Sequence, residues 1–119
     1  MALSEELPIF RAGYDLLENC IDLAKDLPKM LRYSVGGRMI DTNLQLLTEI
    51  YRANLQDDKN AALTELLVCH RTLKMLLRVV YREKVISSGR YADLLKLLDS
   101  IGRQATAWKN KSVNKEKTE

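Results

Sequence analysis

Apolar residues in this chain recur at spacings of three and four over four long stretches, a period that commits each stretch to amphipathic helix. The first runs from about Pro8 to Leu27 and carries two adjacent lines, Phe10, Tyr14, Leu17, Ile21 and Ala24 beside Leu16, Cys20, Leu23 and Leu27. The second, about Ser34 to Leu55, sets Val35, Met39, Leu46 and Ile50 on one line and Ile40, Leu44, Leu47 and Tyr51 on the next. The third, about Lys59 to Val85, aligns Leu63, Leu66, His70, Leu73, Leu77 and Val80. The fourth, about Arg90 to Asn110, aligns Tyr91, Leu94, Leu98, Ile101, Ala105 and Trp108. Five Gly and two Pro in 119 residues leave little of the turn chemistry that a β-rich fold requires.

The breakers between these stretches are short. Pro8 suits a first helical turn, where its missing N–H costs nothing, and Pro28 ends the first helix or turns the chain. Ser34 is the expected N-cap of the second helix, and Gly36-Gly37 in its first turn predicts close approach of a neighbouring backbone. Gln56-Asp57-Asp58 reads as a short loop with a capping residue at its end, and Ser87-Ser88-Gly89 as the last break. Short connections make sequential helices antiparallel neighbours, so the expected fold is all-α, an up-down-up-down four-helix bundle with helices about 30–40 Å long. The bundle is expected to occupy residues 1–110 as one domain. From Lys111 onward the chain (KSVNKEKTE) is charged and nearly without apolar residues, which predicts a disordered tail over 111–119. Stripes this broad serve a core or a subunit interface equally well, so periodicity does not set the subunit number.

Little in the sequence can run a reaction. The single histidine, His70, lies on the apolar line of the third helix, where a histidine satisfied by a neighbouring polar group is the ordinary case. Glu65 and His70 are five apart and fall on different faces, unlike the Glu-x-x-His pairs of metal-binding bundles. Cys20 and Cys69 lack Cys-x-x-Cys spacing and a second histidine, so no zinc site is expected and no cofactor is implied. They read as free buried thiols in a reducing cytoplasm, since Met1 to Leu7 is acidic and has no apolar leader core. No apolar run approaches the roughly 18 residues of a membrane span. Gly36-Gly37 lacks the Lys-Ser/Thr of a phosphate loop. Helical RNA-cleaving domains of the HEPN type place an Arg four to six residues before a His, and here Arg71 follows His70 instead.

Charge is segregated by helix. The first carries Arg11 and Lys25 against Asp15, Glu18, Asp22 and Asp26, a net of −2. The third carries Lys59, Arg71, Lys74, Arg78, Arg82 and Lys84 against Glu65 and Glu83, a net of +4. The fourth carries Arg90, Lys96, Arg103 and Lys109 against Asp93 and Asp99, a net of +2. Arg71, Lys74, Arg78 and Arg82 are spaced by three, four and four, so they form one stripe of mutually repelling cations that an acidic partner would relieve. Two partners fit: nucleic acid met through phosphates, or the acidic first helix of a neighbouring subunit. The stripe is also compatible with a plain solvated face. No aromatic residue interleaves with it in sequence, so contacts to nucleic acid would be to phosphate and largely blind to base identity.

The order of residues resembles a family of four-helix-bundle proteins that includes the bacterial 23S rRNA intervening-sequence proteins and, nearest in pattern, the accessory variability determinants (Avd) of diversity-generating retroelements. The resemblance covers about Tyr14 to Lys111. It rests on Leu27-Pro28-Lys29 followed by Arg32-Tyr33-Ser34-Val35-Gly36, on the Leu/Arg-rich third helix, and on Leu97-Leu98-Asp99-Ser100-Ile101-Gly102-Arg103 leading to Trp108-Lys109. It implies a homo-oligomeric, positively charged ring, with a pentamer favoured. It also implies a non-catalytic accessory subunit that binds a reverse transcriptase and RNA or an RNA–DNA hybrid in support of mutagenic cDNA synthesis. Arg71, Lys74, Arg78 and Arg82 then become the expected nucleic-acid contacts, with Arg90, Arg103 and Lys109 as further ones. Gly102 is expected to permit close helix packing and Trp108 to anchor the end of the fourth helix. The alternative is an assembly or scaffold protein of the intervening-sequence type with a protein partner only. A third class is the helical partner of a nucleotidyltransferase.

Overall fold

The computed structural model describes the backbone of residues 3–118 and the side chains of residues 3–113. Among the described residues the chain forms four long helices and no strand. Helix α1 is Pro8–Asp26. Helix α2 begins at once after Pro28 as Lys29–Leu31, passes through a π-helical turn at Arg32–Gly36, and continues as Gly37–Leu55. Helix α3 is Asn60–Arg82 and α4 is Ser88–Thr118. A short 3-10 turn, Ser4–Glu6, precedes α1.

Each helix packs on two others, in the cyclic order α1–α2–α3–α4 and back to α1. Asp26 at the end of α1 meets Arg90 at the start of α4, and Tyr81 at the end of α3 meets Tyr91 at the start of α4, so these neighbours run antiparallel. That is the up-down-up-down bundle expected from short connections. It measures 52 × 21 × 20 Å.

The core is an aliphatic column in which Leu23, Leu46, Ile50, Leu63, Leu66, Val80 and Ile101 are fully buried. On α3 and α4 the expected apolar lines face it, with His70, Tyr91 and Trp108 half-buried at its margin. On α1 and α2 one line of each pair is mostly buried, and of the adjacent lines only Ala24 and Leu47 are. Tyr14, Ile21, Leu44 and Tyr51, which lie on these apolar lines, are exposed. The physical reason is width: two adjacent lines span more of a helix surface than two neighbouring helices can cover.

Asn43 is fully buried, and its Nδ2 donates to the Gly13 carbonyl at 3.0 Å, joining α2 to α1. The Cys20 thiol points at Asn43 Oδ1 at 3.9 Å. Both cysteines are free and buried. Burial pushes the Cys20 thiol up to about 12. Burial, then the charges of Glu65 and Glu49, pushes Cys69 up to about 11. These raised values carry a sign: the folded thiols keep their protons at a pH where the unfolded chain, titrating near 9.0, has lost them. Their stabilisation is therefore complete below pH 9 and is lost as pH rises toward 11–12, at roughly 1.4 kcal/mol per pH unit for one fully ionising thiol. Urea unfolding at pH 8 and pH 10.5 should show the wild type losing about 1–2 kcal/mol more than Cys20→Ala; equal losses would dismiss the thiol as the cause.

Several local expectations change. Ser34 is not an N-cap; it lies inside the π turn, with its Oγ donating to the Met30 carbonyl at 2.8 Å. Pro28 supplies the break instead, because the residue after it can enter a helix directly. Of the two glycines, Gly36 meets a neighbour, since a Cβ there would stand 3.1 Å from Leu27 Cδ1, while Gly37 faces open space. Ser87 proves to be the true cap of α4, its Oγ accepting the Arg90 N–H at 3.1 Å, so the helix starts at Ser88 rather than Arg90. At its other end α4 stays helical past Asn110 to Thr118. Lys and Glu are good helix formers, so regular backbone can continue after the apolar period stops.

Candidate nucleic-acid interface

The α3–α4 seam carries a pair of adjoining surface grooves, which share His70 and Arg71. One, of about 510 Å³, is lined by Arg71, Lys74, Met75, Arg78, Tyr91 and Leu95 besides His70. The other, of about 710 Å³, runs toward the end of α4 and includes Leu67, Asp99, Gly102, Arg103, Thr106 and Asn110. The spacing of three, four and four on α3 puts Arg71, Lys74 and Arg78 along one wall, and α4 contributes Arg103 opposite Arg71.

The floor is set by one contact. His70 Nε2 lies 2.7 Å from the Leu98 carbonyl. A carbonyl only accepts, so Nε2 carries the hydrogen and donates it. The ring reaches that carbonyl because residue 102 is glycine: a Cβ there would lie 2.8 Å from Nε2 and 2.9 Å from Cε1. The expected packing role of Gly102 is thus specific, a notch for an imidazole. His70 is satisfied by a backbone group, as the sequence suggested for a histidine on an apolar line.

The predicted cations divide by what holds them. Arg71, Arg78, Arg82 and Arg103 are exposed and form no ion pair among the described residues. Lys74 pairs with Asp99 across the seam at 3.4 Å. Both groups are about half exposed, so the pair is worth well under about 1 kcal/mol and yields readily to a stronger anion. Arg90 reaches Asp26 on α1 at 3.2 Å, which closes the bundle between α4 and α1 and turns that cation away from solute. Lys109 is half-buried on α4 and lines neither groove. The structure therefore brings together Arg71, Lys74, Arg78 and Arg103, and leaves Arg82, Arg90 and Lys109 outside these walls.

Sequence reasoning missed Tyr91 as a wall residue. It sits one helix away from the stripe and stacks on Tyr81 of α3, with ring centroids 4.1 Å apart and planes 13° from parallel. The signal was present only as two aromatics flanking the Ser87-Ser88-Gly89 break. Trp108 packs against the core edge at the far end of α4, where the Lys59 ammonium stands 5.9 Å from its ring.

Chemically, such a surface binds. It offers guanidinium forks matched to phosphate or carboxylate, a slot between two helices, and an imidazole held by a carbonyl. Among the described residues no group of three or more His, Cys, Asp or Glu could hold a metal ion. Nor, among them, is any helix long and apolar enough to cross a membrane. No curated protein and no solved structure matches the chain. The sequence profile of the bAvd-like family does match, over residues 8–112, a span that takes in α1 to α3, most of α4 and both walls of the groove. The chain belongs to the bAvd-like family.

Proposed function

We propose that this protein is a non-catalytic accessory subunit of a diversity-generating retroelement, a homo-oligomer that engages the reverse transcriptase and binds RNA or an RNA–DNA hybrid through phosphate contacts. The observation that carries this reading is the α3–α4 groove, where Arg71, Arg78 and Arg103 stand exposed and unpaired among the described residues beside the loosely paired Lys74. Family membership supports the accessory role, and the polymerase partner follows from the resemblance to the accessory variability determinants. Arg82, Arg90 and Lys109 are secondary phosphate contacts in this reading, Arg90 only after release from Asp26. Self-association, with a ring of five favoured, draws on the apolar side chains that α1 and α2 leave exposed on the helices that do not line the groove: Tyr14, Ile21, Leu44 and Tyr51. These four supply apolar surface that a subunit contact would bury. The cytoplasm is the compartment this reading assigns.

A salt series tests it. Labelled single-stranded RNA and an RNA–DNA hybrid should bind at low salt, with log K falling linearly against log salt at a slope of about −2 to −4 per bound subunit. Light scattering on the same sample should return several times the 13.6 kDa chain mass. A second reading, a scaffold with a protein partner only, takes its support from the same Arg and Lys groups meeting acidic α1 of another subunit. Absence of binding at low salt from a correctly assembled protein would decide for it.

A further inference from the structure

The end of the bundle formed by the α1–α2 and α3–α4 turns differs from the rest of the surface in three independent ways. First, it holds the two most exposed of the large apolar side chains, Met30 at 85% and Tyr33 at 77%. They are three apart on helical backbone, so they stand side by side, with Lys29 one turn before Tyr33. Second, the backbone that presents Tyr33 is the π turn Arg32–Gly36, in which the Gly37 N–H reaches back to the Arg32 carbonyl. Single π turns inside α-helices are rare and frequently lie at functional sites. This one is well braced. The Arg32 guanidinium donates to the carbonyls of Lys25 and Leu27 at 3.2 and 3.3 Å, capping α1, and Gly36 lies against Leu27 and Ala24. Arg32 is thereby committed to structure, and Tyr33 beside it is held out to solvent.

Third, Lys84 in the other turn has φ 61°, the one positive-φ non-glycine residue among the described ones. It occupies the left-handed position after α3, with its N–H bonded to the Tyr81 carbonyl at 3.0 Å and the Val85 N–H to Val80 at 3.4 Å. Glycine is the usual occupant of that position, because a Cβ there costs conformational energy. A lysine kept at a conformational cost suggests that its charge is used. The two turns are joined by the Arg90–Asp26 pair. Together, residues 25–33 and 82–90 carry six Lys and Arg against two carboxylates, one of which is already engaged by Arg90. The Gln56-Asp57-Asp58 loop at the opposite end has the reverse character.

We propose that this end is a single-strand clamp, in which Tyr33, supported by Met30, stacks on an unpaired base while Lys29 and Lys84 hold the flanking phosphates. The proposal rests on the nucleic-acid reading of the α3–α4 groove and extends it. The stripe on α3 ends at Arg82, next to Lys84, so a strand lying along Arg71, Arg78 and Arg82 arrives at this end. A rigid exposed aromatic next to cations is the pairing that single-strand binders use, because every base has a stackable face. A duplex has no free base to offer there. Charge favours this occupant over an apolar protein segment, which would have to desolvate Lys29 and Lys84 without pairing them.

The test compares a 20-nucleotide single-stranded RNA with the same RNA in a duplex, by fluorescence anisotropy at one salt concentration. One set of single-stranded probes carries 2-aminopurine to report stacking. Tyr33→Ala should weaken single-strand binding by about tenfold and abolish the 2-aminopurine quenching, leaving duplex binding within about twofold. Tyr33→Phe should retain both. Lys84→Gly should weaken single-strand binding about threefold to tenfold while raising the thermal midpoint, a combination that simple structural damage does not produce. Unchanged single-strand binding in Tyr33→Ala, with Arg71→Glu/Arg78→Glu still defective, would overturn the clamp and spare the groove. No binding by the wild type would overturn both. Loss of reverse-transcriptase capture by Tyr33→Ala with RNA binding unchanged would overturn the clamp by making the tip a protein surface.

Discussion

Replacing Arg71 and Arg78 together by Glu is expected to lower nucleic-acid affinity at about 100 mM salt by a hundredfold or more, and to leave the bundle as stable as before. Two phosphate contacts vanish and two repulsive charges appear, so the log–log salt slope should fall in magnitude by about 1.5 to 2. The stability half of the expectation follows from the neighbours. Both guanidiniums are exposed and have no ion partner among the described residues, so their loss removes no packing or pairing. Residue 78 stands four from both Lys74 and Arg82, so a carboxylate in place of the Arg78 guanidinium turns two like-charge neighbours into favourable ones, worth a few tenths of a kcal/mol each. Unfolding free energy should thus stay within about 0.5 kcal/mol or rise slightly. Lys74→Glu alone should do less to binding than either arginine reversal, because Asp99 already offsets part of that charge. Intact binding in the double variant, measured by anisotropy across the salt series, would remove this wall from the interface.

The second large effect concerns stability. Gly102→Ala puts a methyl 2.8 Å from His70 Nε2 and 2.9 Å from Cε1. The ring cannot slide away freely, since its Nε2–H is spent on the Leu98 carbonyl. Two opposing terms compete. Alanine gains about 0.5–1 kcal/mol over glycine in a helix interior. Overpacking and the weakened, partly buried hydrogen bond together cost about 2–4 kcal/mol. The clash wins, and the net loss should be about 1–3 kcal/mol, or roughly 4–12 °C in Tm for a chain of this size. A double-mutant cycle isolates the cause. In a His70→Ala background the obstruction is gone, and Gly102→Ala should become neutral or stabilising by up to about 1 kcal/mol. A loss of the same size in both backgrounds would place the strain somewhere other than the imidazole.

Much of the bundle was legible because helical period is a local property. Leu63, Leu66, Leu73, Leu77 and Val80 are spaced to share one face whatever they pack on, and so are Leu94, Leu98 and Ile101; all are buried. The stripe from Arg71 to Arg82 was legible for the same reason, as spacing along a single helix. The broad stripes of α1 and α2 were not resolvable. Tyr14 and Ile21 belong to an apolar line as regular as that of Leu16 and Leu23, and only the positions of α2 and α4 around α1 decide which pair is covered. The π turn was hidden as well, because Ser34 followed by glycines matches a cap locally. The brace that overrides it, Arg32 on the Lys25 and Leu27 carbonyls, depends on where α1 ends relative to α2.

The site divides along the same boundary. Sequence alone determined the four helical stretches, which face of α3 is basic, and that His70 lies on an apolar line. Tertiary structure alone decided that Arg103 and Tyr91 join that face, that Asp99 engages Lys74, that Arg90 is turned to Asp26, and that Gly102 is the notch His70 requires. Spacing reports the angular position of a side chain on its own helix, whereas a groove is made by the rotation and offset of two helices. Those quantities are set by the packing of the whole column, and no single segment carries them.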